Sequence, residues 1–205
     1  MIVRIRIAFR RRREAFARFH SPVEAPARTA ILMPGFRQNA RVRVFPEGAY
    51  DAVARFQPEV LAASAPELRR IARLVRAGRL SLPSLDVGLV ALTRAGERPL
   101  EQAGRDLLWS AFELPVYEQL LGPRHETLAA ECGAHAGLHL LPDAPLEVKV
   151  LRGEVRARMP GGALLDFGLR ARLEPGRCPC GSEAPRLTDL SAPRAAVRAV
   201  AAAGY

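Results

Sequence analysis

The chain reads as an α/β domain in which a short parallel sheet gives way to antiparallel strands around a structural metal site. Three observations carry that reading. Between residues 42 and 122, strand-length apolar runs alternate with stretches of helical periodicity. Beyond Gly122, strand-length runs follow one another with glycine turns and no helix between them. Every cysteine of the chain falls in that second stretch, in two short clusters, one of which also carries a histidine.

Taken in order, residues 1–41 form a basic lead-in that need not be fully ordered. Arg4, Arg6 and the run Arg10-Arg11-Arg12-Arg13 are interleaved with Phe9, Phe16 and Phe19. Such a segment suits a solvated lead-in, with an arm for phosphates or anionic lipid as the functional alternative. Pro22, Pro26 and Pro34-Gly35 then break the chain. The folded domain is expected over residues 42–190. A short helix covers 48–56, and a strand follows Pro58 over 59–63. Residues 66–77 place Leu68, Ile71, Ala72, Leu74 and Val75 at helical spacing, with Pro66 in the first turn and Gly78 closing. An apolar run at 86–92 is of strand length. Residues 99–112 put Leu100, Ala103, Leu107, Leu108 and Ala111 on one helical face, and 115–117 is a further short strand. This alternation calls for right-handed crossovers and a parallel sheet. Strands at 128–132, 146–151, 154–159 and 163–173 follow, with another short apolar stretch at 138–141. An alanine-rich tail, helical or frayed, runs over 191–205. No internal repeat is present.

At 205 residues the chain is long enough to bury roughly 70% of its unfolded surface. No apolar run approaches the roughly 20 residues that cross a bilayer, and the arginine-rich start lacks the apolar core of a signal peptide. A cytoplasmic setting is therefore expected, and it suits reduced thiols. The net charge of +10 invites a nucleic-acid reading. Yet Lys149 is the single lysine and the other basic residues are all arginine. With abundant alanine and proline, this points to compositional bias as much as to a polyanion.

The most specific pattern is Cys132-(x6)-His139 followed by Cys178-Pro179-Cys180-Gly181. Three thiols and an imidazole are the inventory of a closed tetrahedral zinc site. Three cysteines cannot all pair as disulfides, and a C-x-C pair rarely meets the roughly 4.4–6.8 Å Cα separation with converging Cβ vectors that a bridge requires. Pro179 and Gly181 make a rigid turn that aims two sulfurs at one point. Gly133 and Gly137 let the first cluster fold back on itself. His135 competes with His139 for the fourth position. The bland alternative is three separate thiols behaving as small hydrophobes. With four protein ligands there is no open position, so the ion is structural and the catalytic set is empty.

Several segments, in order, resemble the phenylacetate–CoA ligase and coenzyme F390 synthetase branch of the adenylate-forming, AMP-binding enzymes. Phe56-Gln57-Pro58-Glu59-Val60-Leu61 with Ser64-Ala65-Pro66-Glu67-Leu68 is similar to that branch's Pro-x-x-Leu-x-x-x-Pro-x-x-Leu stretch. Pro99-Leu100 heading a helix to Phe112, then Pro115-Val116-Tyr117, resembles the helix and strand before its central motif. Glu131-Cys132 with Gly137-Leu138-His139 resembles its E-C-x4-G-L-H segment, and 175–181 its P-x-x-C-x-C-G end. The likeness spans about residues 42–190. It implies a partial adenylate-forming large-domain fold with a structural zinc on Cys132, His139, Cys178 and Cys180.

The departures are equally specific. Residues 1–41 hold no Ser/Thr/Gly loop able to wrap a triphosphate. The branch's Y-G-x-T-E motif falls on Leu120-Leu121-Gly122-Pro123-Arg124, so Arg124 stands where a magnesium-binding glutamate is expected. The ribose-gripping aspartate of its T-G-D motif falls on Leu169, with Asp166 out of register. The mobile domain with the catalytic lysine is expected to be missing. The resemblance therefore implies a zinc-stabilised, non-catalytic fragment that binds a partner protein, a second copy of itself, or an acyl or aryl small molecule. Two alternatives stand beside it: a subunit of an active acyl- or aryl-CoA ligase completed by another chain, and a basic zinc-containing nucleic-acid-binding protein.

Overall fold

A computed structural model describes residues 16–23 and 27–192. The arginine run at 10–13 and the alanine-rich tail from 193 lie outside the described residues. Among the described residues, eleven strands form one mixed sheet in the order β2-β1-β3-β4-β5-β6-β7-β11-β10-β9-β8, with three helices on its parallel half.

The parallel half is built from β1 (Thr29–Ile31), β2 (Val42–Val44), β3 (Val60–Ala63), β4 (Gly88–Arg94) and β5 (Val116–Leu121). β1 pairs in parallel with β2 and β3, β3 with β4, and β4 with β5. Between them lie α1 (Tyr50–Phe56), α2 (Ala65–Arg76) and α3 (Gln102–Phe112). β3, β4 and β5 are buried on both faces, which is why they read as continuous apolar runs, whereas the edge strand β2 is half-exposed. Their period of two still sorts the residues. Leu61, Ala63, Leu89 and Ala91 face α2 and meet Leu68, Ile71 and Ala72. Val60, Ala62, Val90 and Leu92 face the other way, with Ile31, Met33 and Phe36. Phe19 packs against that second face, and Ala17 bridges to Phe36.

The start of the sheet departs from expectation. Thr29, Ala30 and Ile31 are fully buried and pair on both sides, so the sheet begins inside the segment expected to be a lead-in before residue 42. A three-residue strand between Pro26 and Pro34-Gly35 is too short to show a period.

After β5 the chain reverses. β6 (Thr127–Glu131), β7 (Leu138–Leu140), β8 (Glu147–Leu151), β9 (Glu154–Arg158), β10 (Leu164–Glu174) and β11 (Arg186–Ser191) pair antiparallel throughout. Their core gathers Leu120, Leu128, Val155, Ala157, Phe167, Leu169 and Leu187. The Gly96 N–H donates to the Phe167 carbonyl at 2.9 Å and ties the β4–α3 connection to this layer. β10 alternates exposed and buried positions, as a strand with one wetted face should.

The seam of the molecule is the β7–β11 ladder. It holds just two register pairs, Arg186 with His139 and Leu187 with Leu138. So short a ladder joins β8–β11 to the rest of the sheet. Among the described residues no helix is long and apolar enough to cross a membrane.

Candidate metal centre and the cleft beside it

Two turns meet at the seam. Cys132 directly follows β6, and the His135 N–H donates to the Cys132 carbonyl at 2.9 Å, closing a tight loop that carries the chain to β7. Gly137 sits in that loop at φ +109, where a Cβ would lie 2.6 Å from the Leu187 carbonyl oxygen, so a side chain there collides with β11. The second turn spans Cys178 to Ser182. The Gly181 N–H donates to the Cys178 carbonyl and the Cys178 N–H to the Ser182 carbonyl, each at 2.8 Å.

The two turns bring Cys132, His139, Cys178 and Cys180 together, with their ligand atoms all within 4.8 Å of one another. Cys132 Sγ lies 3.8 Å from Cys178 Sγ, and Cys180 Sγ lies 3.6 Å from His139 Nε2. A tetrahedral ion with sulfur at ~2.3 Å and nitrogen at ~2.05 Å has edges of about 3.8 Å and about 3.6 Å between such ligands. His139 is prepared for the task. Its Nδ1 lies 3.1 Å from the Ala184 carbonyl, which only accepts, so Nδ1 carries the proton and Nε2 presents a lone pair to the cluster. Burial pushes the Cys132 thiol up, whereas the Ser182 N–H draws the exposed Cys180 thiol down. A divalent ion bound among them would hold the sulfurs as thiolates. This quartet could hold a metal ion.

His135 is turned elsewhere. Its Nδ1 lies 3.1 Å from Glu131 Oε1, and its ring stacks on Tyr117 at 5.2 Å between centroids. It belongs to a cleft of about 810 Å³ that runs along the seam between α3, β5, the Cys132–His139 loop and β11. Leu100, Leu114, Val116, Leu138, Leu187 and Leu190 supply apolar wall, and Trp109 stands at it with 58% of its surface exposed.

A polar network closes the inner end of the cleft. Arg105 reaches Glu131 at 2.9 Å and Glu118 at 3.7 Å, and donates to the Val116 carbonyl at 2.8 Å. Glu131 also accepts the Glu118 N–H at 2.9 Å. Glu118 accepts the Thr93 hydroxyl at 2.8 Å and the Leu100 N–H at 3.0 Å. Burial nonetheless pushes the Glu118 carboxyl up, against the pull of those donors and of Arg105. Thr188 Oγ1, in the same wall, is buried without a hydrogen-bond partner. Sequence reasoning passed over Arg105, Glu118 and Trp109, and weighed His135 only as a rival metal ligand. Its available signal was a glutamate inside each of two apolar strands, Val116–Leu121 and Thr127–Glu131.

The positions marked by the resemblance fall where little chemistry is available. Arg124 is exposed in the β5–β6 turn, its N–H bonded to Glu126 Oε2 at 2.7 Å. Leu169 is core. Asp166 spends one oxygen on the Gly168 N–H at 2.7 Å. His125, in the same turn, stacks on Phe36 at 5.8 Å.

No family model matches the sequence, and no curated protein matches it. Solved structures do. An open conformation of 2-hydroxyisobutyryl-CoA ligase, in complex with 2-HIB-AMP and CoA, superposes with TM-score 0.57 at 14% identity over 78% of this chain and 43% of that one. The same ligase in the postadenylation state with 2-HIB-AMP gives TM-score 0.58 at 16% identity, over 79% and 42%. The fold resembles part of an adenylate-forming CoA ligase. An anthranilate CoA ligase in complex with anthranoyl-AMP also matches, at TM-score 0.49, 14% identity, 78% of this chain and 39% of that one. The chain spans less than half the length of these ligases.

Proposed function

We propose that this chain is a zinc-clamped, non-catalytic relative of the phenylacetate–CoA ligase branch, which binds an acyl- or aryl-bearing small molecule in the cleft along its seam. The observation that carries this reading is the closed quartet of Cys132, His139, Cys178 and Cys180. It stands on the segments by which the sequence resembles that branch, with edge lengths that suit zinc. Zinc held there supplies a cross-link and no reactive position, because all four ligands come from protein. The clamp joins the end of β6 and β7 to the β10–β11 connection, across the two-pair ladder.

Adenylation stands against the residues at hand. The reaction needs a triphosphate neutralised by magnesium and oriented donors, which is usually the largest catalytic contribution. A guanidinium at Arg124, where the resemblance expects the magnesium ligand, repels that ion. A leucine at 169 forgoes the charge-assisted hydrogen bond to ribose, worth about 1.5–3 kcal/mol. Binding, by contrast, has a built place: apolar walls, an indole and a fixed carboxylate–guanidinium network, the usual make-up of a ligand cleft.

Trp109 is the chain's one tryptophan, so its emission reports on the cleft directly. Titration with short aryl and acyl carboxylates and their CoA thioesters is expected to shift that emission saturably. Calorimetry with ATP and magnesium is expected to show no binding. Micromolar ATP–magnesium affinity would contradict the non-catalytic reading and make the chain part of a working ligase.

A further inference from the structure

The arginines of this chain are not distributed evenly with respect to their counter-charges. Arg156, Arg158, Arg172 and Arg186 on the antiparallel half, and Arg28, Arg94, Arg98 and Arg105 on the parallel half, each pair with a carboxylate. On α2 and the turn after it, Arg69, Arg70, Arg73, Arg76 and Arg79 stand with no acidic residue between Glu67 and Asp86. None of the five forms an ion pair among the described residues. Glu67, the one carboxylate of the helix, is buried and committed to the Tyr50 hydroxyl at 2.7 Å and the Gly48 N–H at 3.1 Å.

Geometry makes these residues a stripe. At 3.6 residues per turn, positions 69, 70, 73 and 76 fall within about 120° of the helix circumference and span about 10 Å of its axis. Arg70, Arg73, Arg76 and Arg79 are exposed. Arg69 lies across α3, where a Cβ on Gly104 would meet its Nε at 3.0 Å, and Arg70 is held over the Tyr50 ring at 5.7 Å. Like charges three residues apart on a helix repel one another. A general taste for arginine explains their number but not the missing carboxylates, since Arg94 and Arg98 on the parallel half and Arg156 and Arg172 on the antiparallel half each stand beside one.

We infer that the α2 arginine stripe is a docking surface for the phosphate backbone of a nucleic acid. Arginine forks engage phosphate oxygens in pairs, and a stripe of about 10 Å is long enough to meet successive phosphates of one strand. An anionic bilayer fits less well. Interfacial helices bury large apolar side chains beside their cations, and among the described residues the exposed large apolar side chains are Phe16, Trp109, Leu151, Leu164 and Leu173, none of them on α2. The stripe is separate from the cleft and does not depend on what the cleft binds.

Fluorescence anisotropy of the full chain with labelled single-stranded and duplex oligonucleotides tests the assignment. Wild-type protein should bind at 50 mM salt, with affinity falling steeply by 200 mM. The triple variant R70E/R73E/R76E should lose at least tenfold. R70Q/R73Q/R76Q, which adds no repulsion, should flatten the log–log salt slope by about two for a single strand and nearly three for a duplex. Circular dichroism and Trp109 emission should match wild type in both variants. Unchanged affinity in the glutamine variant overturns the inference. So does binding carried wholly by Arg10 to Arg13, or tighter binding to vesicles containing anionic lipid than to either oligonucleotide.

Discussion

The helix-covered parallel half and the antiparallel half of this sheet hold together by different means. In the first, β3 and β4 bury both faces, between α2 on one side and Phe36 and Phe19 on the other. Apolar burial at roughly 25 cal/mol per Å² is sufficient reason for that half to be compact. In the second, β10 wets every other residue, and β8–β11 join the remainder of the sheet through a ladder of two register pairs, beside the packing of their core on Leu120 and Leu128. There the sequence spends its three cysteines. If the quartet holds an ion, the contrast teaches where a cross-link adds most: at the two-pair ladder, and not at the buried core of the parallel half.

If that contrast is right, removing metal should divide the molecule. Binding of a structural zinc is worth ~10–16 kcal/mol in finger peptides, where it is folding energy. Chelation, or replacement of Cys132 and Cys178 by serine, should strip amide-exchange protection from β7 to β11 while β3 and β4 keep theirs. Uniform loss along the chain would show that the two halves are one cooperative unit.

Core truncations should sharpen the same division. Leu68→Ala and Phe167→Ala each remove a fully buried side chain, one from either half, and should cost about 2–5 and about 3–5 kcal/mol respectively. Chelator should add to the Phe167→Ala defect far more than to the Leu68→Ala defect. Equal sensitivity would break the distinction between the halves.

A smaller effect belongs to the cleft. Burial raises the Glu118 carboxyl above its unfolded value, so the folded state binds the extra proton. Stability then declines as pH rises from the ordinary glutamate range through the higher folded pKa. Glu118→Gln should remove that decline, seen as a difference between variant and wild-type denaturation midpoints that grows over this window and is flat above it. A constant difference at every pH would mean that Glu118 does not titrate with folding.

The same division explains how much was legible beforehand. The helices at α2 and α3 and the strands at β3 and β4 announce themselves through local periodicity, which needs no knowledge of the partner. The cysteine–histidine quartet is legible from ligand chemistry, because few other arrangements use three thiols and an imidazole in this way. β1 was hidden by its three-residue length between prolines. β11, at Arg186–Ser191, was hidden because its partner His139 lies far away in sequence and its own polar alternation resembles a loop. The Arg105–Glu118–Glu131–His135 network could not be assembled from spacing, since it joins a helix, two strands and a loop. Family resemblance located the seam's chemistry through Glu131-Cys132 and Gly137-Leu138-His139, yet the cleft beside it became visible only once the chain was folded.

The most direct test is the metal content of the purified chain measured by mass spectrometry alongside its Cys178→Ser variant. One zinc per wild-type chain, lost in the variant together with protection of β7 to β11, is the expected result. A wild-type chain that is fully folded and metal-free, with protection indifferent to chelator, would contradict the account.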